Sequence, residues 1–321
     1  MTPTSDPARA LRRVYGLNIA SDLDLPELQS AAFVHDPDVV IEKGAVPEAE
    51  EADPNNMRAY VDGSPDRLWL DIPDIVRMTI TDGRSIVYSR YPNVPDDELR
   101  LFLLGSGMGA LLMQRGYIVV HGNAIMLQEL GGAVLCVGDS GAGKSTTAIA
   151  MMQRGYPILA DDVCPISAEG VVPPGMPRAK LWDDTAQQLG IDTAPLERLR
   201  EGDAKFNLPL GDAHCPQGQP VKAFFWLVPE EVGSVAVTPL SGAEKFTVLR
   251  NNIYRPEYLR PLGLEVDYLQ RVAHLASTTP VFRVSRPATG FDIDAVTNTI
   301  LATASDIAPR HDTHELTEAN P

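Results

Sequence analysis

The amino-acid sequence predicts an α/β protein in two parts: a smaller β-rich N-terminal domain over residues 1–98 and a larger α/β domain over 99–308, followed by a tail, 309–321, expected to be disordered. Three observations carry this. Between residues 12 and 90, short runs of alternating apolar and polar residues follow one another, the period of strands with one buried face. From about residue 117 the pattern changes to apolar strand-length runs separated by helical segments. Between the two regions, YPNVPDDE (Tyr91–Glu98) interrupts both patterns with two prolines and ends in acids suited to a helix N-terminus.

The strands of the first part are RRVYGLNI, DVVIEKG, MRAYVDG, RLWLDI, VRMTIT and RSIVYSR. Asp82-Gly83 joins the last two, a hairpin signal because both turn residues must tolerate positive φ. Leu101–Val120 is the one membrane-like run, but glycines, Gln114 and Arg115 interrupt it, so it predicts a buried helix leading into a strand. YIVV, AIML and AVLCV read as strands, followed by a helix from Lys144 and a strand PILA ending at Asp161. From Val163 to about Gly218 the chain is rich in Pro and Gly with short helical pieces such as DDTAQQL, the composition of an active-site excursion. KAFFWLV, residues 222–228, returns to the sheet. GAEKFTVLRN, PEYLRPLGLEVDYLQRVAHLA and FDIDAVTNTILAT then carry helical periodicity, with the strand PVFRVSR between the last two.

Composition narrows function by exclusion. Lys and Arg number 27 against 43 Asp and Glu, a formal charge of −16, which argues against a nucleic-acid partner because a phosphate backbone demands a basic face. The three cysteines, Cys136, Cys164 and Cys215, have neither metal-ligand spacing nor an even count, which points to a reducing compartment and buried thiols. MTPTSDPARALRR lacks the apolar core of a secretory signal. The expectation is a cytoplasmic protein with no membrane partner.

GDSGAGKS matches the phosphate-loop pattern G-x-x-x-x-G-K-[ST], with an apolar strand before it and a helix after it, which is the context the chemistry requires. The predicted nucleotide-binding residues are Gly138, Asp139, Ser140, Gly141, Ala142, Gly143, Lys144, Ser145 and Thr146. Gly141 and Gly143, lacking Cβ atoms, let successive backbone N–H groups converge on phosphate, and the helix N-terminus adds its positive end. Lys144 reaches the terminal phosphates and the Ser145 hydroxyl ligates Mg²⁺.

Asp161 and Asp162 follow the strand PILA at its carboxyl end, where ligands of open α/β sheets sit. Adjacent residues leaving a strand point in different directions, so one carboxylate can face a metal and the other an incoming hydroxyl. His121 closes the strand YIVV. Arg178, Lys180, Lys205, Arg283 and Arg286 are candidate contacts to phosphate or to a substrate carboxylate, with Lys180 and Lys205 preferred because they lie in the loop-rich segment beside Leu181, Trp182 and Phe206.

VHGNAIML, GDSGAGKS and LADD, in this order and close spacing, resemble the catalytic domain of HPr kinase/phosphorylase, strongly over roughly residues 117–167. The resemblance implies a P-loop HPr-kinase-like domain, with ATP and Mg²⁺ as cofactors. It further implies Gly138–Ser145 as the nucleotide loop, His121 as an active-site helper, Asp161 as the base for a serine hydroxyl, and Asp162 with Ser145 at the metal. The glutamate-containing segment of the type E-I-R-G that follows LADD in that family is absent; PPGMPRAKLWDD stands there, and Asp183 or Asp184 is the candidate replacement ligand, although DDTAQQL also reads as an ordinary helix start. The whole-chain pattern, including YGLNIASDLDLPEL, PPGMPRAKLW, KFNLP and VFRVSRP, is similar to the kinases encoded with lasso peptide biosynthesis machinery. That similarity implies phosphorylation of a serine at or near the C-terminus of a ribosomally made precursor peptide; HPr kinases also imply a homo-oligomer. Arg178, Lys180 and Lys205 are the expected substrate contacts from the pattern of cations beside apolar anchors, the alternative being pairing with neighbouring acids. The alternatives are an HPr-directed kinase of carbon regulation and a nucleotide-sensing regulator that transfers nothing.

Overall fold

The computed structural model describes residues 11–32, 34–48, 60–200, 202 and 204–308; the expected tail at 309–321 lies outside these. The fold is mixed α/β with a β-rich N-terminal part. Strands β1 (Leu11–Val14), β2 (Leu17–Ser21), β3 (Gln29–Ser30), β4 (Val39–Lys43), β5 (Tyr60–Ser64), β6 (Arg67–Ile72), β7 (Val76–Thr81) and β8 (Ser85–Arg90) form one sheet in the order β3-β1-β2-β4-β8-β7-β6-β5. Asp82 and Gly83 both take positive φ, 52° and 62°, and the Arg84 N–H closes their turn on the Thr81 carbonyl at 3.0 Å. Alternation does the rest: Val76, Met78 and Ile80 point inward while Arg77, Thr79 and Thr81 point outward.

The chain then enters α1 (Asp96–Phe102), a π-helical turn at Leu103–Gly107 and α2 (Met108–Gln114), three consecutive pieces of one helical rod. Three acids occupy its first turn. Its residues from Leu103 to Met113 are almost all buried, packed between the N-terminal sheet and a second sheet. This explains the membrane-like run: the rod is apolar all round because protein covers it all round. Among the described residues, no helix is long and apolar enough to cross a membrane.

The second sheet contains β9 (Ile118–Leu127), β10 (Gly132–Val137), β11 (Ile158–Ile166), β12 (Val171–Val172), β15 (Gln219–Glu230), β16 (Ala236–Pro239) and β17 (Val281–Pro287), in the order β11-β9-β10-β15-β17-β16 with β12 on β15. β10, β15 and β17 run parallel; at one end β9 is antiparallel to β10, and β11, antiparallel to β9, runs in the same direction as β10. A separate ribbon pairs β13 (Arg178–Trp182) with β14 (Lys205–Pro209). One core runs without interruption from Ile19, Ile41 and Met78 through Leu104 and Leu111 to Val119, Leu135 and Phe224, so the two sheets share it. The opposite face of the second sheet packs on α3 (Lys144–Gln153) and α7 (Ile293–Ile307), through Ile149, Phe225, Val284 and Ile300. The remaining helices are α4 (Asp183–Leu189), α5 (Gly242–Asn251) and α6 (Glu265–Thr278).

Two expected boundaries differ. YIVV and AIML are halves of one strand, β9, so His121 lies mid-strand, paired with Val163 of β11. PILA does not end at Asp161: β11 continues through Asp161 and Asp162 to Ile166. Asp162 holds φ at +70° inside the strand, a left-handed conformation, yet its pairing to Gly122 is kept. The apolar residues after it, Val163, Cys164 and Ile166, remain buried and continue the strand.

Candidate active site

β10 is apolar at every position because neighbouring strands flank it and both faces are covered. It delivers the chain into the loop Gly138–Gly143 and then α3. Gly138 and Gly143 sit at φ +142° and +98°, and an added Cβ would lie 2.6 Å from the Leu227 carbonyl oxygen and 2.9 Å from the Phe291 ring respectively, so both positions exclude other residues sterically as well as conformationally. No side chain caps α3 at Gly143, which leaves the first-turn N–H groups for a ligand. The Lys144 ammonium donates to the Gly138 and Asp139 carbonyls at 2.7 and 3.0 Å. Burial pushes its pKa down, opposed by Asp162, Asp139 and Asp161.

Two residues hold this loop from behind. Asn252 accepts from the Gly138 N–H at 2.8 Å and anchors its own amide on the Val248 carbonyl at 2.8 Å. Arg286, 5% exposed, donates from Nε to the Ala142 carbonyl and from Nη2 to the Gly141 carbonyl, both at 2.9 Å, while its guanidinium lies over the Phe291 ring at 4.4 Å. With the Ala142 carbonyl drawn backward, the N–H of the same peptide, that of Gly143, is turned the other way, while the Ala142 N–H closes the loop on the Asp139 carbonyl at 3.1 Å. Asn252 gave no sequence signal. Arg286 did: it shares the inward parity of Phe282 and Val284 on β17, a position where an arginine needs a buried partner. Its Nε and Nη2 are engaged by the loop and its Nη1 by the Pro287 carbonyl, while the side chain also borders the site cavity. Arg283 is likewise committed, to Glu230 at 2.6 Å and to the Trp226 ring.

The cross-strand register of β9 and β11 assembles the acidic end, placing Asn123 opposite Asp161 and Gly122 opposite Asp162. Asp161 is buried. One of its oxygens accepts from the Asn123 side-chain amide and the other from the Lys180 backbone N–H at 2.6 Å. Burial, then the neighbouring Asp162, pushes its pKa up to about 6. Asp162 is more open: its oxygens meet the Lys180 ammonium at 2.7 Å and His121 Nδ1 at 3.3 Å. Burial works against its ionisation, but Lys180 and His121 outweigh that and hold its pKa below the ordinary carboxylate value. Burial lowers the pKa of His121, with Asp162 opposing. Two adjacent carboxylates are thus driven apart, one toward the acid and one toward the anion.

The ribbon β13–β14 supplies the cations. Arg178, Lys180 and Trp182 share one face of β13, while Ala179 and Leu181 are buried on the other. Lys205, opposite Trp182, places its ammonium 4.1 Å above the indole ring. Lys180 and Lys205 line the same cavity as the phosphate loop, of about 620 Å³, together with His121, Asp161 and Asp162. Arg178 does not line it: its guanidinium is buried, bonded to Asn207 at 2.9 Å and 4.0 Å from Glu27, where it ties the ribbon to the N-terminal sheet.

Of the nine predicted loop residues, Ser140, Gly141, Gly143, Lys144, Ser145 and Thr146 line this cavity; Gly138 and Asp139 line an adjoining one, and Ala142 is buried in the core beneath. Among the described residues, no group of three or more His, Cys, Asp and Glu side chains is arranged to hold a metal ion. Mg²⁺ at a phosphate loop needs few protein ligands, since phosphate and water supply the others. Ser145 and Asp184 both line the cavity, and the starts of α3 and α4 are joined there by the Thr146 and Thr185 hydroxyls at 2.9 Å, so the Ser145 hydroxyl and the Asp184 oxygen not taken by the Thr185 N–H fit such a site. Both Asp162 oxygens are taken by nitrogen donors, which makes Asp162 a poorer ligand than the sequence suggested. Asp183 bonds Gln187 at the start of α4, the ordinary helix-start reading.

No family model matches the chain. A stretch of 53 residues is 42% identical to the HPr kinase/phosphorylase of Caldanaerobacter subterraneus subsp. tengcongensis, covering 16% of this chain and 17% of that protein. A stretch of 50 residues is 42% identical to the HPr kinase/phosphorylase of Treponema pallidum subsp. pallidum, covering 16% of this chain and 15% of that protein. The chain therefore has a distant HPr-kinase-like relationship, local to about fifty residues, and the match spans less than a fifth of the relatives' length.

Proposed function

We propose that this protein is an ATP-dependent kinase that phosphorylates a serine hydroxyl of a peptide. The observation that carries this reading is the meeting of His121, Asp162 and Lys180 with the Lys144 loop around one cavity. The N–H groups of the loop and Lys144 bind the nucleotide phosphates, with Arg286 and Asn252 fixing the loop. Ser145 and Asp184 would hold Mg²⁺, which would neutralise charge at those phosphates. The acceptor oxygen bonds to the γ-phosphorus as the bond from that phosphorus to the bridging oxygen breaks, ADP leaves, and the hydroxyl proton passes to Asp162.

Asp162 is assigned this role in place of Asp161 because it is the more exposed carboxylate and is held ionised by Lys180 and His121, whereas Asp161 is buried and its pKa is pushed up to about 6. A low-pKa carboxylate suffices, since phosphoryl transfer asks more for orientation and charge stabilisation than for a strong base. Asp161 positions Lys180 through its backbone N–H, and His121 holds Asp162 from the other side.

The likeness of the loop region to HPr kinase/phosphorylases supports the reaction class. The softer whole-chain resemblance to lasso-peptide kinases supports a precursor peptide as acceptor. The test is incubation with γ-labelled ATP, Mg²⁺ and separate acceptors: serine-terminated peptides and HPr. Label on the peptides and not on HPr supports the peptide reading; label on HPr reverses it. Nucleotide binding with no label on either acceptor leaves a nucleotide sensor. Asp162→Asn should lose transfer by about 10²-fold or more while keeping nucleotide affinity.

A further inference from the structure

The nucleotide cavity occupies one side of His121, Asp162 and Lys180. On their other side the same residues, with Ser140 and Lys205, line a second cavity of about 640 Å³, within the range of sites that enclose a small ligand or a few residues of chain. Two backbone irregularities face it. The α1–α2 rod widens into its π-helical turn here, and Gly105 and Ser106 of that turn line the wall; such turns concentrate at functional sites. Across from it, Arg255 is held at φ +46°, a left-handed conformation that costs a non-glycine residue about 1 kcal/mol or more.

Charge at this cavity runs against that of the chain. In a protein of net charge −16, four cations line it: Lys180, Arg200, Lys205 and Arg255. Lys180 is matched by Asp162. Arg200 lies over the Phe102 ring at 4.8 Å and reaches Glu98 at 3.1 Å. Arg255 has a longer contact to Glu257, 3.6 Å, lies 5.9 Å from the centre of the Tyr254 ring, and stays partly exposed. Leu101, Phe102, Leu199 and Ile253 give the same cavity an apolar surface.

We propose that this cavity is the acceptor chamber, and that Arg255 with Arg200 selects a hydroxyl-bearing segment that also carries a carboxylate. The proposal rests on the phosphoryl-transfer reading for its hydroxyl and on the chamber itself for its carboxylate. A guanidinium fork matches a carboxylate bidentately. A monoanion suits the chamber better than a phosphate dianion, because Asp139, Asp162 and Glu257 also line it. The carboxylate can belong to a chain end or to an acidic side chain, and the apolar surface packs the residue beside it.

Three fluorescein-labelled serine octapeptides distinguish these sources: one with a free C-terminal carboxylate, one with a C-terminal amide, and one amide with an added glutamate. Their binding to the full chain is measured by anisotropy with Mg²⁺ and a non-hydrolysable ATP analogue. At least one carboxylate peptide should bind about tenfold more tightly than the neutral amide. Arg255→Gln should reduce that preference to under about threefold, with the affinity for the ATP analogue unchanged. Arg255→Gly, which the left-handed backbone accepts, removes the charge without added strain and provides a second variant should Arg255→Gln fold poorly. Equal binding of the three peptides, including no binding by any, overturns the chamber, as does a preference that survives both variants. Selective binding without phosphorylation overturns the transfer reading and leaves the chamber standing.

Discussion

Replacing Arg286 should weaken nucleotide binding without unfolding the protein. Its guanidinium makes two 2.9 Å hydrogen bonds to the carbonyls of Gly141 and Ala142 and a third to Pro287. Hydrogen bonds from a charged donor contribute about 1.5–3 kcal/mol each, and because Gly141 is exposed the lower figure applies, giving about 3 kcal/mol for the pair that holds the loop. If binding must restore that order, Arg286→Ala raises the nucleotide Kd by about a hundredfold, since 1.4 kcal/mol is a factor of ten. Arg286→Lys keeps the charge but loses the fork, so an intermediate loss of about tenfold is expected. Titration with a fluorescent ATP analogue measures both, alongside a thermal melt to show that each variant is folded. A folded Arg286→Ala protein with wild-type nucleotide affinity would refute the positioning role.

Three further outcomes are expected. Lys180→Met removes the main stabiliser of ionised Asp162, so the acid limb of the transfer pH profile moves to higher pH, read from initial rates between pH 5 and 8. The pKa of Asp161, raised to about 6, means the folded state binds a proton that the unfolded chain releases near its ordinary value of about 3.9; stability therefore falls as pH rises from about 4 to 6 and stays lower above. Asp161→Asn removes that dependence, so its melting temperature relative to wild type should climb between pH 4 and pH 7. Leu111→Ala, at a fully buried position where both sheets meet, should cost about 2–5 kcal/mol, and denaturant melts by far-ultraviolet dichroism and tryptophan fluorescence should remain coincident because the core is shared.

The readable parts of the chain were those where local rules and tertiary structure agree. Asp82-Gly83 makes its turn because both residues tolerate positive φ, and GDSGAGKS makes a loop and an uncapped helix start because its three glycines accept the positive φ that the loop requires. The ribbon β13–β14 was hidden: RAKLW and KFNLP are short, lie among prolines, and become strands only by pairing with each other across twenty-two intervening residues. The passage of β9 through His121 and of β11 through Asp162 was hidden for a related reason. Polar residues at the middle of a strand look like its end when their partners are on another strand.

By itself, the sequence determined the mixed α/β class with its β-rich N-terminal part, the glycine-rich loop between β10 and α3, and the residue types gathered near it, because these depend on φ preferences and periodicities within a few residues. Tertiary structure alone decided which carboxylate is more open and which is enclosed, that Arg178 and Arg283 pair away from the cavity, that Arg286 holds the loop at the cavity's edge, and that Lys180 and Lys205 face the cavity. The physical reason is that a charged side chain takes its role from its nearest partners and its exposure, and here those partners lie from about twenty to about one hundred and fifty positions away along the chain.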